Sequence, residues 1–234
     1  VSLLLIMVSC AEITIPTSFP TSIPTGNKPL TTAEITEGLK EALKVGAKNS
    51  TGLASQTDGF FKNPQLFIPF PSEAEKVKNT LIKAGFSKQV DEFTLTLNRA
   101  AEKATEKALP IFVDAITSMT ISDAMGILKG EDNAATEYLK RTTSSQLQAA
   151  FKPIARDAIN KVNLTSYWEP LATNYNRITI LTGGKAVNPN LEEYVTQKAI
   201  DGLFILIAKE EKSIRENPAA RVTDILKRVF ANTK

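Results

Sequence analysis

From Thr31 onward, apolar side chains recur every third or fourth position. This is the period of helices with one buried face, and no stretch of useful length alternates as a strand would. Thr31-Thr32-Ala33-Glu34 has the spacing of a capping box, and Ile35, Leu39 and Leu43 follow on one face. Gly46, Gly52 and Gly59 are expected to weaken and end this first helix. Ser72-Glu73-Ala74-Glu75 repeats the box and opens a helix through Val77 and Leu81 that stops at Gly85. A longer helix begins near Ser87, with Val90, Phe93, Leu97, Ala101, Ala104 and Ala108 on one side. Pro110 interrupts it or opens the next, which carries Phe112, Val113 and Ile116.

Thr120-Ile121-Ser122-Asp123 predicts a short capped helix ending at Gly130. Asp132 or Asn133 is expected to cap a helix through Tyr138 and Leu139, and Ser144 or Ser145 to start a separate one with Leu147, Phe151, Ile154 and Ile159. Tyr167 to Ile180 continues the pattern up to Gly183-Gly184. Asn190 begins the most apolar segment, where Leu203 to Ala208 is hydrophobic on all sides, so a helix central to the domain is expected. Asn217-Pro218 opens a last amphipathic helix with Val222, Ile225, Leu226 and Val229. The fold class read from this pattern is all-α: one compact multi-helix domain of about eight to ten helices.

The first thirty residues break the period. Leu3 to Val8 is an unbroken apolar run, too short for the roughly 20 residues of a membrane span but the size of a secretory h-region. Met7-Val8-Ser9-Cys10 resembles a bacterial lipobox, in which the cysteine is acylated and becomes the mature N-terminus. Ala11 to Thr31 follows, rich in Thr and Ser, with Pro16, Pro20, Pro24 and Pro29 at near-regular spacing; such a segment is extended rather than helical. The expected organisation is a signal peptide over 1–9, a lipidated cysteine and tether over 10–31, and a helical domain over 32–234. Each buried acyl methylene contributes about 0.8 kcal/mol, so several chains on Cys10 would hold the protein on membrane lipid, facing the periplasm.

Composition narrows the chemistry. The chain has no histidine, which removes Ser-His-Asp and Cys-His catalysis and imidazole metal ligation. With one cysteine, neither an intrachain disulfide nor a Cys-cluster metal site can form. The net charge of +3 comes from 28 basic and 25 acidic residues that are interspersed, without the basic stripe of a nucleic-acid binder. No cofactor and no metal ligand set is assigned.

A family resemblance rests on long motifs: Phe112-Val113-Asp114-Ala115-Ile116, Met119-Thr120-Ile121-Ser122-Asp123-Ala124, Ile127-Leu128, Gly130, Ala134-Ala135-Thr136-Glu137-Tyr138 and Arg141-Thr142-Thr143-Ser144. Asp201-Gly202-Leu203-Phe204, Glu210-Glu211 and Ile214 to Arg221 extend it. Together these resemble the bacterial domain-of-unknown-function family numbered 4197, over nearly everything from Ile35 to Phe230. The resemblance implies an exported helical domain and brings no activity with it.

Several constellations are candidates for binding. Tyr138 and Arg141 lie three apart on a helix face, with Thr142 and Asp123 nearby; they suit an anion, or local caps and salt bridges. Asp201 lies within the most apolar helix, where a buried carboxylate would need a partner such as Arg99, Arg141 or Arg221. Glu131, Asp132 and Asn133 lack the alternating ligand spacing of a calcium loop and suit capping. The segment from Gln56 to Ser72 holds Phe60, Phe61, Phe67 and Phe70 among three prolines. It reads as a loop plugged into the core, or as an apolar lip. The leading functional expectation is an anchored domain that binds a small apolar ligand or an envelope protein, with no catalytic residue assigned. A carboxylate-dependent hydrolase or lyase and a structural oligomer are the alternatives.

Overall fold

The computed structural model describes residues 30–72, 75–161, 168, 173, 175–177, 186, 190–217 and 227–228. The signal, the lipobox cysteine and almost all of the tether expected from the sequence lie outside them. Among the described residues there are seven helices and no strand: α1 (Thr32–Ser55), α2 (Glu75–Lys83), α3 (Ser87–Thr105), α4 (Ala108–Thr117), α5 (Ile121–Lys129), α6 (Ala134–Ile159) and α7 (Leu191–Glu216).

Local chemistry sets most of these boundaries. Thr31 and Glu34 form the reciprocal capping box that opens α1, and Thr120 and Asp123 do the same for α5. Asn190 caps α7 by accepting the Glu193 amide. Gly85 follows α2 at φ 91°, a left-handed conformation that costs glycine little. Pro110 is the third residue of α4, in the first turn, where its missing N–H costs no helical bond; the break itself falls at Glu106-Lys107.

Four expectations are corrected. Gly46 and Gly52 do not end α1, which runs through both to Ser55 and packs on α7. The helices expected around Leu139 and from Ser144 are a single 26-residue α6. Its central run of hydroxyl residues stays helical, with Thr142, Thr143 and Ser144 donating to the Tyr138, Leu139 and Lys140 carbonyls. Asn133 occupies the cap position of α6 but its side chain makes no cap bond; that work falls to Glu211 of α7. Finally, α7 is not apolar-surrounded: Leu203, Phe204, Leu206 and Ile207 are buried, while Ile205 is 45% exposed. The expected helix from Asn217 lies outside the described residues except at 227–228.

Helices α6 and α7 run antiparallel. Glu211 near the end of α7 meets the start of α6, and Arg156 near the end of α6 meets Glu192 at the start of α7. α7 also packs on α1 and α3, and α4 fits between α1 and α6. Phe70, Phe93 and Trp168 form an aromatic triangle in the core, with ring centroids 5.1, 5.6 and 5.9 Å apart. Gly202 lets Phe60 reach α7: a Cβ there would stand 2.9 Å from the Phe60 ring.

Candidate functional site

The polar motif around α5 and α6 comes together, with Tyr138 buried and Arg141 and Thr142 at the surface. Asp123 Oδ2 accepts from the Thr120 amide at 3.0 Å and from its hydroxyl at 2.6 Å. Those bonds, with a smaller contribution from Arg141, hold the Asp123 carboxyl below its ordinary range. Tyr138 is 7% exposed, and its hydroxyl donates to the Ala115 carbonyl at 3.3 Å. Burial, and then the nearby Asp123 charge, raise its pKa. Arg141 lies with Cζ 5.6 Å from the centroid of the Tyr138 ring, and Thr142 is engaged by the Tyr138 carbonyl. Asp123, Tyr138 and Arg141 are therefore neighbours, yet the hydroxyl and the carboxylate are spent on backbone joints.

The other sequence candidates separate. Asp201 is exposed and accepts from Gln197 at 2.8 Å, so it is not the buried carboxylate expected from its apolar surroundings. Its neighbours on α7 point into the core because it occupies the outer face of that turn. Arg221 and Cys10 lie outside the described residues. Of the four loop phenylalanines, Phe60 and Phe70 are buried in the core. Phe61 and Phe67 pack on each other at 6.0 Å, with Phe67 39% exposed. The lip reading thus retains two partly covered rings, one of them beneath the Arg99 guanidinium.

The loop is held by buried polar groups that sequence reasoning passed over. Asn98 pins Ile68 at both its amide and its carbonyl, each at 2.8 Å. Glu102 accepts the Phe60 and Phe61 amides, and Arg99 links Glu102 to Asp58 at 2.6 Å on each side. Lys62 and then Arg99 hold the Asp58 carboxyl below its ordinary range. At the opposite joint, Glu211 accepts from the Ala135 and Thr136 amides and the Thr136 hydroxyl. Arg215 pairs with Glu211 at 2.8 Å and donates to the Ile127 carbonyl at the end of α5. The signal available in sequence was polar side chains on a buried stripe: Asn98 and Glu102 beside Leu97 and Ala101, and Glu211 four residues after Ile207.

Among the described residues, hollows of two kinds adjoin α7. Two hollows beside α1 and α7 are apolar, but each holds about 20 Å³, room for a single water. A small apolar ligand does not fit either. Between α6 and α7 runs a groove of about 360 Å³, lined by Ser145, Gln148, Ala149, Lys152, Glu193 and Thr196. The α6 members stand at i, i+3, i+4 and i+7, one face of the helix, and the α7 members at i and i+3. Its volume lies in the range of small-molecule sites, and its lining is divided about evenly between polar and apolar surface.

Thr196 is 1% exposed, and its hydroxyl has no hydrogen-bond partner among the described residues. A buried hydroxyl left without a partner is costly, and Thr196 is one of the residues that line the groove. The neighbouring Glu192 is already engaged. Arg156 donates to both its oxygens, at 2.5 and 3.2 Å, and this pairing holds the carboxyl below its ordinary range. Lys152 is left at 3.7 Å from Glu192, beyond hydrogen-bond length.

The model of the family described as protein of unknown function, DUF4197, matches residues 29–231. The chain belongs to that family. The match takes in all seven helices found among the described residues and leaves residues 1–28, Cys10 among them, outside it. No curated protein and no solved structure matches the chain. Within the DUF4197 domain, the motifs behind the resemblance fall at joints: Thr120 to Asp123 at the α5 cap, Ala135-Thr136 against Glu211, and Gly202 against Phe60.

Proposed function

We propose that this DUF4197 protein is a lipid-tethered, non-catalytic binding domain of the bacterial cell envelope, which holds a small polar ligand between α6 and α7. The observation that carries the reading is the groove of about 360 Å³ with the buried, unpartnered Thr196 hydroxyl in its wall. Two further points support it. The polar candidates Asp123 and Tyr138 are engaged in a local cap and a backbone joint, and the two apolar hollows beside α1 and α7 are too small for a greasy ligand. Tethering through Cys10 rests on the apolar leader and the Pro/Thr spacer of the sequence.

Native and denaturing mass spectrometry of protein extracted from its own membrane tests both halves. The expected denatured mass is that of a chain starting at acylated Cys10. The expected native spectrum shows a small non-covalent adduct in the wild type that is absent from Ala149→Trp, whose indole fills the groove from an exposed helix position. An unacylated chain retaining Val1 would overturn the tether. Absence of an adduct, or one that survives Ala149→Trp, would overturn the groove.

A further inference from the structure

We infer that the ligand of the α6–α7 groove is amphoteric, carrying both a cationic and an anionic group as a free amino acid or a short peptide with charged termini does. The inference rests on the groove being the binding site and goes on to the chemistry of what it takes. Its two walls present opposite charges from different helices: Lys152 on α6 and Glu193 on α7. Lys152 keeps donors to give, because Arg156 occupies both oxygens of the only carboxylate within 4 Å of its ammonium among the described residues. Glu193 uses its backbone amide on Asn190, and its carboxylate forms no ion pair among the described residues.

Uncharged hydrogen-bonding groups complete the lining: the Ser145 hydroxyl, the Gln148 amide and the buried Thr196 hydroxyl. A ligand with a cation at one end, an anion at the other and peptide-like donors and acceptors between them matches each of these groups. A purely anionic ligand would leave Glu193 repelled, and a purely cationic one would leave Lys152 so. Packed helices stand 8–10 Å apart, and an extended peptide advances about 3.5 Å per residue, which favours two or three residues between the charged ends.

The test uses full-length protein in detergent with ¹³C-labelled threonine and alanine methyls, titrated with glycine oligomers of one to four residues. The Thr196 and Ala149 methyl signals are expected to shift, most tightly with the two- or three-residue oligomer. Blocking either end, by N-acetylation or C-amidation, is expected to weaken binding by about tenfold, the loss of one charged contact. Glu193→Gln should abolish only the penalty for N-acetylation, and Lys152→Met only that for C-amidation. This crossed pattern assigns each ligand end to its wall. Thr196→Val should weaken all oligomers alike. If doubly blocked and free oligomers bind equally, or the penalties persist in both variants, the inference falls. If no oligomer shifts these methyls while the co-purified adduct does, the amphoteric reading falls and the groove stands. Failure of both probes overturns the two together.

Discussion

Glu211 accepts the Ala135 and Thr136 amides and the Thr136 hydroxyl, and pairs with Arg215, which in turn donates to the Ile127 carbonyl. One carboxylate thereby caps α6 and ties it to the end of α5 and to α7. Negative charge at a helix N-terminus is favourable, and burial keeps the pair from being screened. Glu211→Gln leaves Arg215 with a neutral partner and sets amide hydrogens against backbone N–H groups. The expected loss is about 3 kcal/mol, the order for breaking a buried pair. Urea unfolding would show it as a lower midpoint at unchanged slope. Glu192→Gln removes an ion pair whose arginine is 55% exposed, and should cost less than about 1 kcal/mol. Equal losses in the two variants would contradict the central place given to Glu211.

At the scale of elements, α1 shows what a glycine does inside a helix that packing sustains. Gly52 is exposed within α1, and a Cβ there would meet nothing within 4 Å. Gly52→Ala should therefore stabilise the domain by roughly 0.5–1 kcal/mol. Gly202→Ala should destabilise it, since its Cβ would press on the buried Phe60 ring at 2.9 Å. Thermal midpoints moving in the same direction for both would refute this account. The elements legible in the sequence were those with local signals: the Thr31 and Thr120 boxes, the Asn190 cap and the stop at Gly85. The unity of α6 was not legible, because a run of threonine and serine reads as a boundary, whereas here the run lies inside a helix packed on α3, α4 and α7. The continuation of α1 was hidden for a related reason, since α7 supplies the stability that two glycines withhold. Of the candidate site, the adjacency of Tyr138 and Arg141 was readable from their spacing, but the inward turn of the Tyr138 hydroxyl depends on α4. The groove could not be read at all, because its walls are more than forty residues apart and each looks like an ordinary solvated face.

For the molecule as a whole, the ionisable joints set a pH profile. Asp58 holds the aromatic loop to α3 through Arg99, Asp123 closes the cap of α5, and Glu192 fastens the start of α7 to the end of α6. All three carboxyls are held below their ordinary values of 3.8, 3.8 and 4.5, by Lys62 and Arg99, by Thr120, and by Arg156 respectively. A depressed folded pKa means that the unfolded chain binds protons first as the pH falls, so acid favours unfolding. The contribution is fully present above the ordinary carboxylate range and is lost as pH drops through the lower, folded values. No histidine titrates between pH 5 and 8, which leaves a plateau there. Urea midpoints should be level from pH 7 to 5 and then fall steeply below about pH 4. The triple variant Asp58→Asn, Asp123→Asn, Glu192→Gln should start lower at pH 7 and show a shallower fall, because three of the proton-linked joints are gone. A wild-type midpoint that holds steady from pH 5 to 3, or a triple variant with an undiminished fall, would show that these carboxylates are not what binds the helices to one another.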